Sequence, residues 1–229
     1  KIDHEELVSA FRPLFEPLHP GASARPRPGP SLHPGLFCRE KPLEQVHLCL
    51  GGMAPDLASE DRLACALLNT LLGGNMSSRL FQEIREKRGL AYAVYSFLSA
   101  YMDTGVLGVY LGTDPRWVNE ALETVHREID RILEGDIMES EMAMMREHLT
   151  GSILLGSESV DTRMMRLAKN EYVFGRYVSY DELIARLNRV NVEDVIRVAR
   201  DCFRGEDITA VTLGPVGPGD LDAASLRFP

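Results

Sequence analysis

The sequence has few cysteines and no long apolar run, and both absences limit the classes of protein it can belong to. Its four cysteines contain no C-x-x-C pair. A dense disulfide framework is therefore excluded, and reduced, mostly buried thiols are expected. No segment is long and apolar enough to cross a bilayer as a helix. The cysteines are Cys38, Cys49, Cys65 and Cys202.

Positive charge is also scarce. The chain has 25 Lys and Arg against 34 Asp and Glu, which gives a formal net charge of −9 at pH 7. Nucleic-acid binding requires a basic field that attracts phosphate, so a nucleic-acid partner is excluded. An acidic surface is compatible with basic peptides as partners, although most acidic surfaces serve solubility.

The sequence lacks an initiator methionine and a signal peptide, and it opens mid-pattern at Lys1. We therefore expect it to be a piece of a longer protein. The cytoplasm is the favoured compartment, with the bacterial periplasm as the alternative. Composition and length predict four segments. These are a helical piece at 1–18, a Pro/Gly-rich linker at 19–35, one globular domain at 36–216 and a tail at 217–229.

The stretch 73–101 carries the most distinctive pattern of the chain. A glycine-led loop, a short basic helix and a strand follow one another, with the reversal at Gly89. Three residues are suited to cap the helix: Asn75, Ser77 and Ser78. Gly89 is predicted to end the helix in the left-handed conformation, and the alternation after it predicts a strand. The reversal is expected to bring Arg85 and Tyr92 to one spot.

The rest of the sequence predicts short strands and runs of helices. Two strands, Phe37 to Lys41 and Gln45 to Leu50, are expected around a turn at Pro42, and two more at 106–113 and 208–213. Ser179 and Asn191 are predicted to begin two of the later helices. Helices that come in runs favour an α+β fold over a Rossmann-type order. We expect a largely antiparallel sheet with helices packed on one face.

These motifs resemble the C-terminal half of the pitrilysin and mitochondrial-processing-peptidase family of zinc peptidases, the inverzincins. The resemblance rests on Gly73-Gly74, on residues 77–81 (SSRLF) and on residues 85–92 (REKRGLAY), and it runs more loosely from Leu36 to Gly214. It implies a metallopeptidase-half fold. It also implies that residues 1–18 are the end of a preceding N-terminal half.

In that family the zinc is held by the other half, through His-x-x-Glu-His. This motif does not occur in the sequence. The nearest pair is Glu147-His148, and the inverzincin pattern would require a histidine where Met144 stands. The resemblance therefore implies zinc in the parent enzyme, bound outside this chain, with no metal ligand here. It also implies that this chain alone is inactive.

The resemblance assigns Arg85 to substrate positioning and Tyr92 to hydrogen bonding in the transition state. A guanidinium or a phenol stabilises the oxyanion that forms when water attacks a peptide carbonyl. The residues alone leave another interpretation open, in which Arg85 pairs with Glu86 and Tyr92 is half buried in the sheet. Whether Arg79 and Gly73-Gly74 contact substrate or only fix the loop is also left open.

The expected partners are an N-terminal zinc-binding half or a second subunit, a homodimer included, and a peptide substrate. The main hypothesis is thus the C-terminal half of a zinc-dependent metalloendopeptidase that hydrolyses peptides in a shared chamber. One alternative is a non-catalytic scaffold or regulatory subunit of the same family. Another is an unrelated α+β domain that binds a small ligand. The presence of both Arg85 and Tyr92 favours the enzyme.

Overall fold

A computed structural model describes residues 3–19 and 29–222. The predicted linker and tail lie partly outside these ranges. The described residues form seven α-helices and five strands. The helices are α1 His4–Phe15, α2 Arg62–Leu72, α3 Val118–Leu133, α4 Glu139–Glu158, α5 Val160–Phe174, α6 Tyr180–Leu187 and α7 Val192–Cys202. The strands are β1 Gly35–Glu40, β2 Val46–Ala54, β3 Ala91–Ala100, β4 Gly105–Thr113 and β5 Thr209–Gly214.

The five strands form one sheet in the order β1-β5-β2-β4-β3. The β1–β5 pair is parallel, and the other three pairs are antiparallel. The structure confirms the α+β fold and the largely antiparallel sheet. The turn at Pro42 does not make a hairpin, because β5 lies between β1 and β2. Strand periodicity reveals which face a strand buries, but not which strand it pairs with.

The helices cover one face of the sheet, as predicted. Every second residue of β2 and β4 is buried against α2, α3 and α7: Leu48, Leu50, Leu107, Val109 and Leu111. Each such side chain contributes about 1.5–3 kcal/mol when it leaves water. This layer is the hydrophobic core, and it fixes the register of the strands because a one-residue slip would expose it.

The alternate residues lie on the opposite side of the sheet, which we call the open face. In register across its three strands are His47, Cys49 and Gly51 on β2, Gly112, Tyr110 and Gly108 on β4, and Ala93, Tyr95 and Phe97 on β3. The side chains of Tyr95 and Phe97 are half exposed there. The open face is thus apolar and aromatic, although the described helices pack on the other side.

The helix starts predicted at Ser179 and Asn191 are capped by those side chains, and Asp3 caps α1. The Asp3 carboxylate accepts from the backbone N–H groups of Glu5 and Glu6, and Ser179 Oγ accepts from the backbone N–H of Glu182. Asn191 and Asp194 cap each other reciprocally in a capping box. Within the described ranges, no helix has the length and apolar character needed to cross a membrane.

Candidate functional site

The helix of the 73–101 stretch is a π-helix, spanning Phe81–Lys87. The helical turns begin at Arg79, and Ser78 stands at their start, where its backbone O accepts from Gln82 N at 3.0 Å. Ser78 Oγ donates to Asn75 O and caps no helix N–H. Asn75 instead closes the loop before the helix, since its Oδ1 accepts from Ser77 N at 2.7 Å. The π-helix has wider turns than an α-helix, and such turns are frequent at functional sites. Ile84, in its middle, is fully buried and anchors one side of it.

The π-helix ends at a glycine reversal, as the sequence predicted. Gly89 has a φ of +63°, the left-handed conformation that glycine adopts without strain. Leu90 N then donates to Ile84 O at 2.8 Å and closes the turn. Strand β3 therefore starts beside the helix that precedes it.

A β-bulge places Tyr92 at the beginning of β3. Ala91 pairs with Thr113 and Ala93 pairs with Gly112, so Tyr92 is an extra residue between two successive pairs. Bulges redirect a side chain out of the ladder. The Tyr92 side chain is accordingly 77% exposed.

Arg85 and Tyr92 lie together at the surface. The guanidinium carbon of Arg85 is 4.4 Å from the Tyr92 ring centroid and 4.9 Å from that of Phe81. Both rings attract the cation through their π faces. Arg85 also has Nε 3.7 Å from a carboxylate oxygen of Glu86, so the pairing expected from the residues alone is present but long. The Arg85 side chain remains 35% exposed.

The neighbouring cations are occupied by carboxylates. Lys87 Nζ lies 2.5 Å from Glu83, and Arg88 lies 3.6 Å from Glu120. The hydrogen bond from Lys87 lowers the pKa of Glu83 by more than its slight burial raises it. Arg85 thus differs from Lys87 and Arg88, because its guanidinium contacts mainly the aromatic rings of Phe81 and Tyr92.

Arg79 is a structural residue that fixes the loop. Its side chain is 8% exposed and forms two hydrogen bonds with Glu141, Nε to Oε1 at 2.9 Å and Nη2 to Oε2 at 2.8 Å. It also donates to the backbone carbonyl of Asp136. These contacts join the start of the π-helix to the start of α4, and they leave Arg79 buried away from the Arg85–Tyr92 surface.

The two glycines of the loop pack closely against protein. A Cβ on Gly73 would collide with the backbone nitrogen of Ser96, which donates to Gly73 O at 3.1 Å. A Cβ on Gly74 would come within 2.9 Å of Asn69 O. Both glycines therefore allow the loop to approach β3 and α2, which explains them without a substrate.

Comparison with known proteins decides the family. A family profile described as "Peptidase M16 inactive domain" matches residues 1–149. The chain belongs to the peptidase M16 family, as its inactive domain. The match confirms the resemblance to the C-terminal half of a pitrilysin-family protease.

Relatives of this M16 inactive domain are named as proteases. The uncharacterized zinc protease YmxG of Bacillus subtilis is 39% identical over 188 residues, covering 82% of this chain and 46% of that protein. An uncharacterized zinc protease of Streptomyces coelicolor is 39% identical over 229 residues, covering 94% of this chain and 48% of that protein. The chain thus spans about half the length of the curated relatives it matches.

Solved structures share the fold of this M16 inactive domain. The crystal structure of a peptidase M16 inactive domain from Pseudomonas fluorescens has a TM-score of 0.82 at 22% identity and covers 94% of this chain and 52% of that chain. A protease from Helicobacter pylori has a TM-score of 0.83 at 22% identity, with coverages of 94% and 53%. At these identities the structures establish the fold.

The M16 family implies zinc, and the residues of this domain do not fit it. Among residues 3–19 and 29–222, no group of three or more His, Cys, Asp or Glu side chains is placed to hold a metal ion. Glu147 and His148 lie on the exposed side of α4, and Met144 occupies the position where a third ligand would stand. Elsewhere His126 pairs with Asp130 at 2.7 Å.

The structure adds a polar and aromatic group that sequence reasoning missed. Neither His47 nor Tyr110 stands out in the strand pattern of the sequence. Here His47 Nδ1 is 2.8 Å from Tyr110 Oη, and the Tyr110 and Tyr95 rings lie 4.9 Å apart. Burial, followed by the neighbouring Tyr95 and Cys49, raises the pKa of Tyr110. Period-two spacing puts aromatic residues on one side of each strand, but only the pairing of β2, β4 and β3 brings them together.

Proposed function

We propose that this domain is the C-terminal half of a zinc-dependent metalloendopeptidase, which hydrolyses peptides in a chamber formed with a separate zinc-binding half. Two findings support the proposal: the relatives are named zinc proteases, and they are about twice as long as this chain. The observation that carries it is the exposed stack of Arg85 on Tyr92. The metal and its chemistry belong to the other half.

Arg85 is the residue that positions the substrate. Stacking between the rings of Phe81 and Tyr92 restricts the guanidinium, so less conformational entropy is lost when it binds an acceptor. Among the described residues, neither terminal nitrogen of Arg85 has a hydrogen-bond partner. The planar fork is therefore available to a peptide carbonyl or carboxylate.

Tyr92 is the residue that donates a hydrogen bond as charge develops on the carbonyl oxygen. Its ring is held against Arg85 while the side chain is 77% exposed, so its hydroxyl is accessible. A donor that is already oriented stabilises an oxyanion without further reorganisation. Arg85 and Tyr92 together supply the electrostatic part of a site that the zinc half completes.

We also propose that residues 1–18 belong to the preceding half, joined to the domain at 36–216 by the linker at 19–35. Helix α1 has no buried residue. Its apolar side, with Phe11, Leu14 and Phe15, is exposed to solvent. An amphipathic helix of this kind requires a surface to pack against.

Replacing Tyr92 with Phe in the full-length protein tests the function. The variant keeps the ring and loses the hydroxyl, so kcat should fall roughly 100-fold while the fold is retained. Tyr101→Phe is the matched control, since Tyr101 is another exposed tyrosine near the end of β3. An unchanged kcat in Tyr92→Phe would refute the assigned role.

The second candidate function is that of a non-catalytic scaffold or regulatory subunit. The profile that matches this chain describes an inactive domain, and this description favours the non-catalytic subunit. The discriminating feature is the His-x-x-Glu-His motif in the other half. An intact motif together with chelator-sensitive peptide cleavage supports the enzyme, and a degraded motif without cleavage supports the scaffold.

A further inference from the structure

A strip of side chains crosses the open face, beginning at Tyr95, which follows Tyr92 by three residues on β3. Tyr95 lies directly opposite Tyr110 in the β3–β4 register, and their rings are 4.9 Å apart. Tyr110 then hydrogen-bonds to His47 on the next strand. In the described residues Nε2 of His47 has no partner, so it is free to bind a peptide group.

A cavity lies next to this strip, over the pair Gly51 and Gly108. The two glycines are opposite each other in the β2–β4 register, and both line the cavity. The Phe97 ring leans over Gly108, where a Cβ would lie 2.6 Å from it. The cavity measures about 230 Å³. Leu32, Cys49, Phe97, Val106, Thr209 and Val211 form its wall, and no charged side chain among the described residues lines it.

Strand geometry relates the cavity to the proposed site. Tyr95 follows Tyr92 by three residues, about 10 Å along an extended strand, and Phe97 follows it by five, about 17 Å. An extended peptide has the same rise per residue. An extended peptide that has its reacting carbonyl at Arg85 and Tyr92 and crosses the open face from β3 toward β2 would therefore present a side chain about three to five residues away to the cavity.

We infer that the cavity over Gly51 and Gly108 is a substrate subsite, which takes one aromatic or large aliphatic side chain about three to five residues from the cleaved bond. The inference rests on the proposed function. Strand β3 carries both Tyr92 and the cavity-lining Phe97, which selects a peptide bound at the proposed site as the occupant. The uncharged wall selects an apolar side chain. His47 and Tyr110, which neighbour the cavity-lining Cys49 on the open face, bind the peptide backbone.

A peptide series and a cavity-filling variant of the full-length protein test the subsite. In an otherwise alanine-rich peptide, one Phe is moved through the positions on either side of the cleaved bond. Phe at one position three to five residues from the cleaved bond should raise kcat/KM about tenfold, because part of its aromatic side chain is then buried in the cavity. Val211→Trp should abolish that preference, so that the Phe-containing and Phe-free peptides are cleaved with equal kcat/KM.

Val160→Trp is the matched control, since Val160 is exposed on α5 and does not line the cavity. Val211 is itself half exposed, so a larger side chain is expected to fold, and a thermal melt verifies this. A Phe preference that persists unchanged in Val211→Trp overturns the inference. The same holds if Val211→Trp changes the size of the protein in solution, because another protein surface would then occupy the cavity.

A binding assay separates failure of the subsite from failure of the proposed function. Fluorescence anisotropy of labelled peptide is measured on full-length protein treated with a chelator, so that no cleavage is needed. Phe-dependent binding that is lost in Val211→Trp supports the subsite even if the protein never cleaves a peptide. Equal binding of the Phe and Ala peptides overturns the subsite, even if the protein is an active peptidase.

Discussion

Two nitrogens of Arg79 donate to the two carboxylate oxygens of Glu141, at 2.9 and 2.8 Å, in a largely buried ion pair. The same carboxylate accepts from Met138 N at 2.9 Å and so caps α4. Arg79, just before the π-helix, is thereby bonded to the first turn of α4. We expect the placement of Arg85 to depend on this pair.

Replacing Arg79 with Met should destabilise the chain by about 3–5 kcal/mol, because it leaves Glu141 as an uncompensated charge in a buried site. Urea unfolding of the chain measures the loss. Arg116→Met is the matched control, since the Arg116–Asp114 pair is exposed and such pairs contribute about 0–1 kcal/mol. Equal losses in the two variants would show that Arg79 is not an anchor.

The Glu141 carboxylate should make stability depend on pH in the acid range. Burial raises its pKa, but hydrogen bonds from Arg79 and Met138 outweigh this and hold the pKa below its usual 4.5. A lowered pKa in the folded state adds stability above the unfolded value, and this is lost as the pH falls through the folded value. Unfolding free energy should thus decline below about pH 4.5.

Glu141→Gln provides the test of that assignment. The variant is less stable at neutral pH, and its unfolding free energy should fall less steeply on acidification because one titrating group is gone. Denaturant unfolding at a series of pH values measures both slopes. Identical slopes for the two proteins would assign the acid sensitivity to other carboxylates.

Gly73→Ala should destabilise the chain, because the added methyl group would meet the backbone of β3 at Ser96. Overpacking of this kind costs typically about 1–3 kcal/mol. Gly151 lies inside α4 with open space around it, so Gly151→Ala should instead stabilise by about 0.5–1 kcal/mol. Thermal melts that shift in the same direction for both variants would contradict the packing argument.

Much of the fold could be predicted from local chemistry. The reversal at Gly89 and the cap at Asn191 depend on neighbouring residues, and the structure has both. The insertion of β5 beside β1 could not be predicted, since it depends on pairing between segments far apart in the sequence. For the same reason the contact of Arg79 with Glu141, 62 residues away, is not visible in the 73–101 pattern.

Two substitutions at Tyr92 should separate its hydroxyl from its ring. Tyr92→Phe keeps the stack on Arg85, whereas Tyr92→Leu removes both the hydroxyl and the π face. Tyr92→Leu should lose a further factor of about 2–5 in kcat/KM, equal to an exposed cation–π contact of about 0.5–1 kcal/mol. Steady-state kinetics of the full-length protein measure the difference. Equal kcat/KM values for Tyr92→Phe and Tyr92→Leu would show that the cation–π contact does not contribute to catalysis.

Arg85→Lys should show whether the shape of the guanidinium matters beyond its charge. Lysine keeps the charge but loses the planar fork and its stacking between two rings, so kcat/KM should fall about tenfold. Arg88→Lys is the control on the same segment, since Arg88 is paired with Glu120. Full activity in Arg85→Lys would show that only the positive charge of Arg85 matters and not the planar shape of its guanidinium.

The candidate site was only partly accessible from the sequence. The spacing of Arg85 and Tyr92 across a glycine reversal predicted their proximity, and the structure places them 4.4 Å apart as guanidinium carbon and ring centroid. The π-helical turns and the bulge at Tyr92 were not predicted. Both are departures from regular hydrogen bonding, which local residue preferences do not specify.

The position of β5 has a consequence for synthesis of the chain. Strand β1 pairs with β5 from Gly35–Thr209 to Glu40–Gly214, so its ladder remains unmade until residues late in the sequence have left the ribosome. Until then β1 and one edge of β2 present unsatisfied backbone groups, which attract other extended chains. We therefore expect nascent molecules of this domain to be most prone to misassembly between the synthesis of β1 and that of β5, and holdase chaperones that shield strand edges should matter most in that interval.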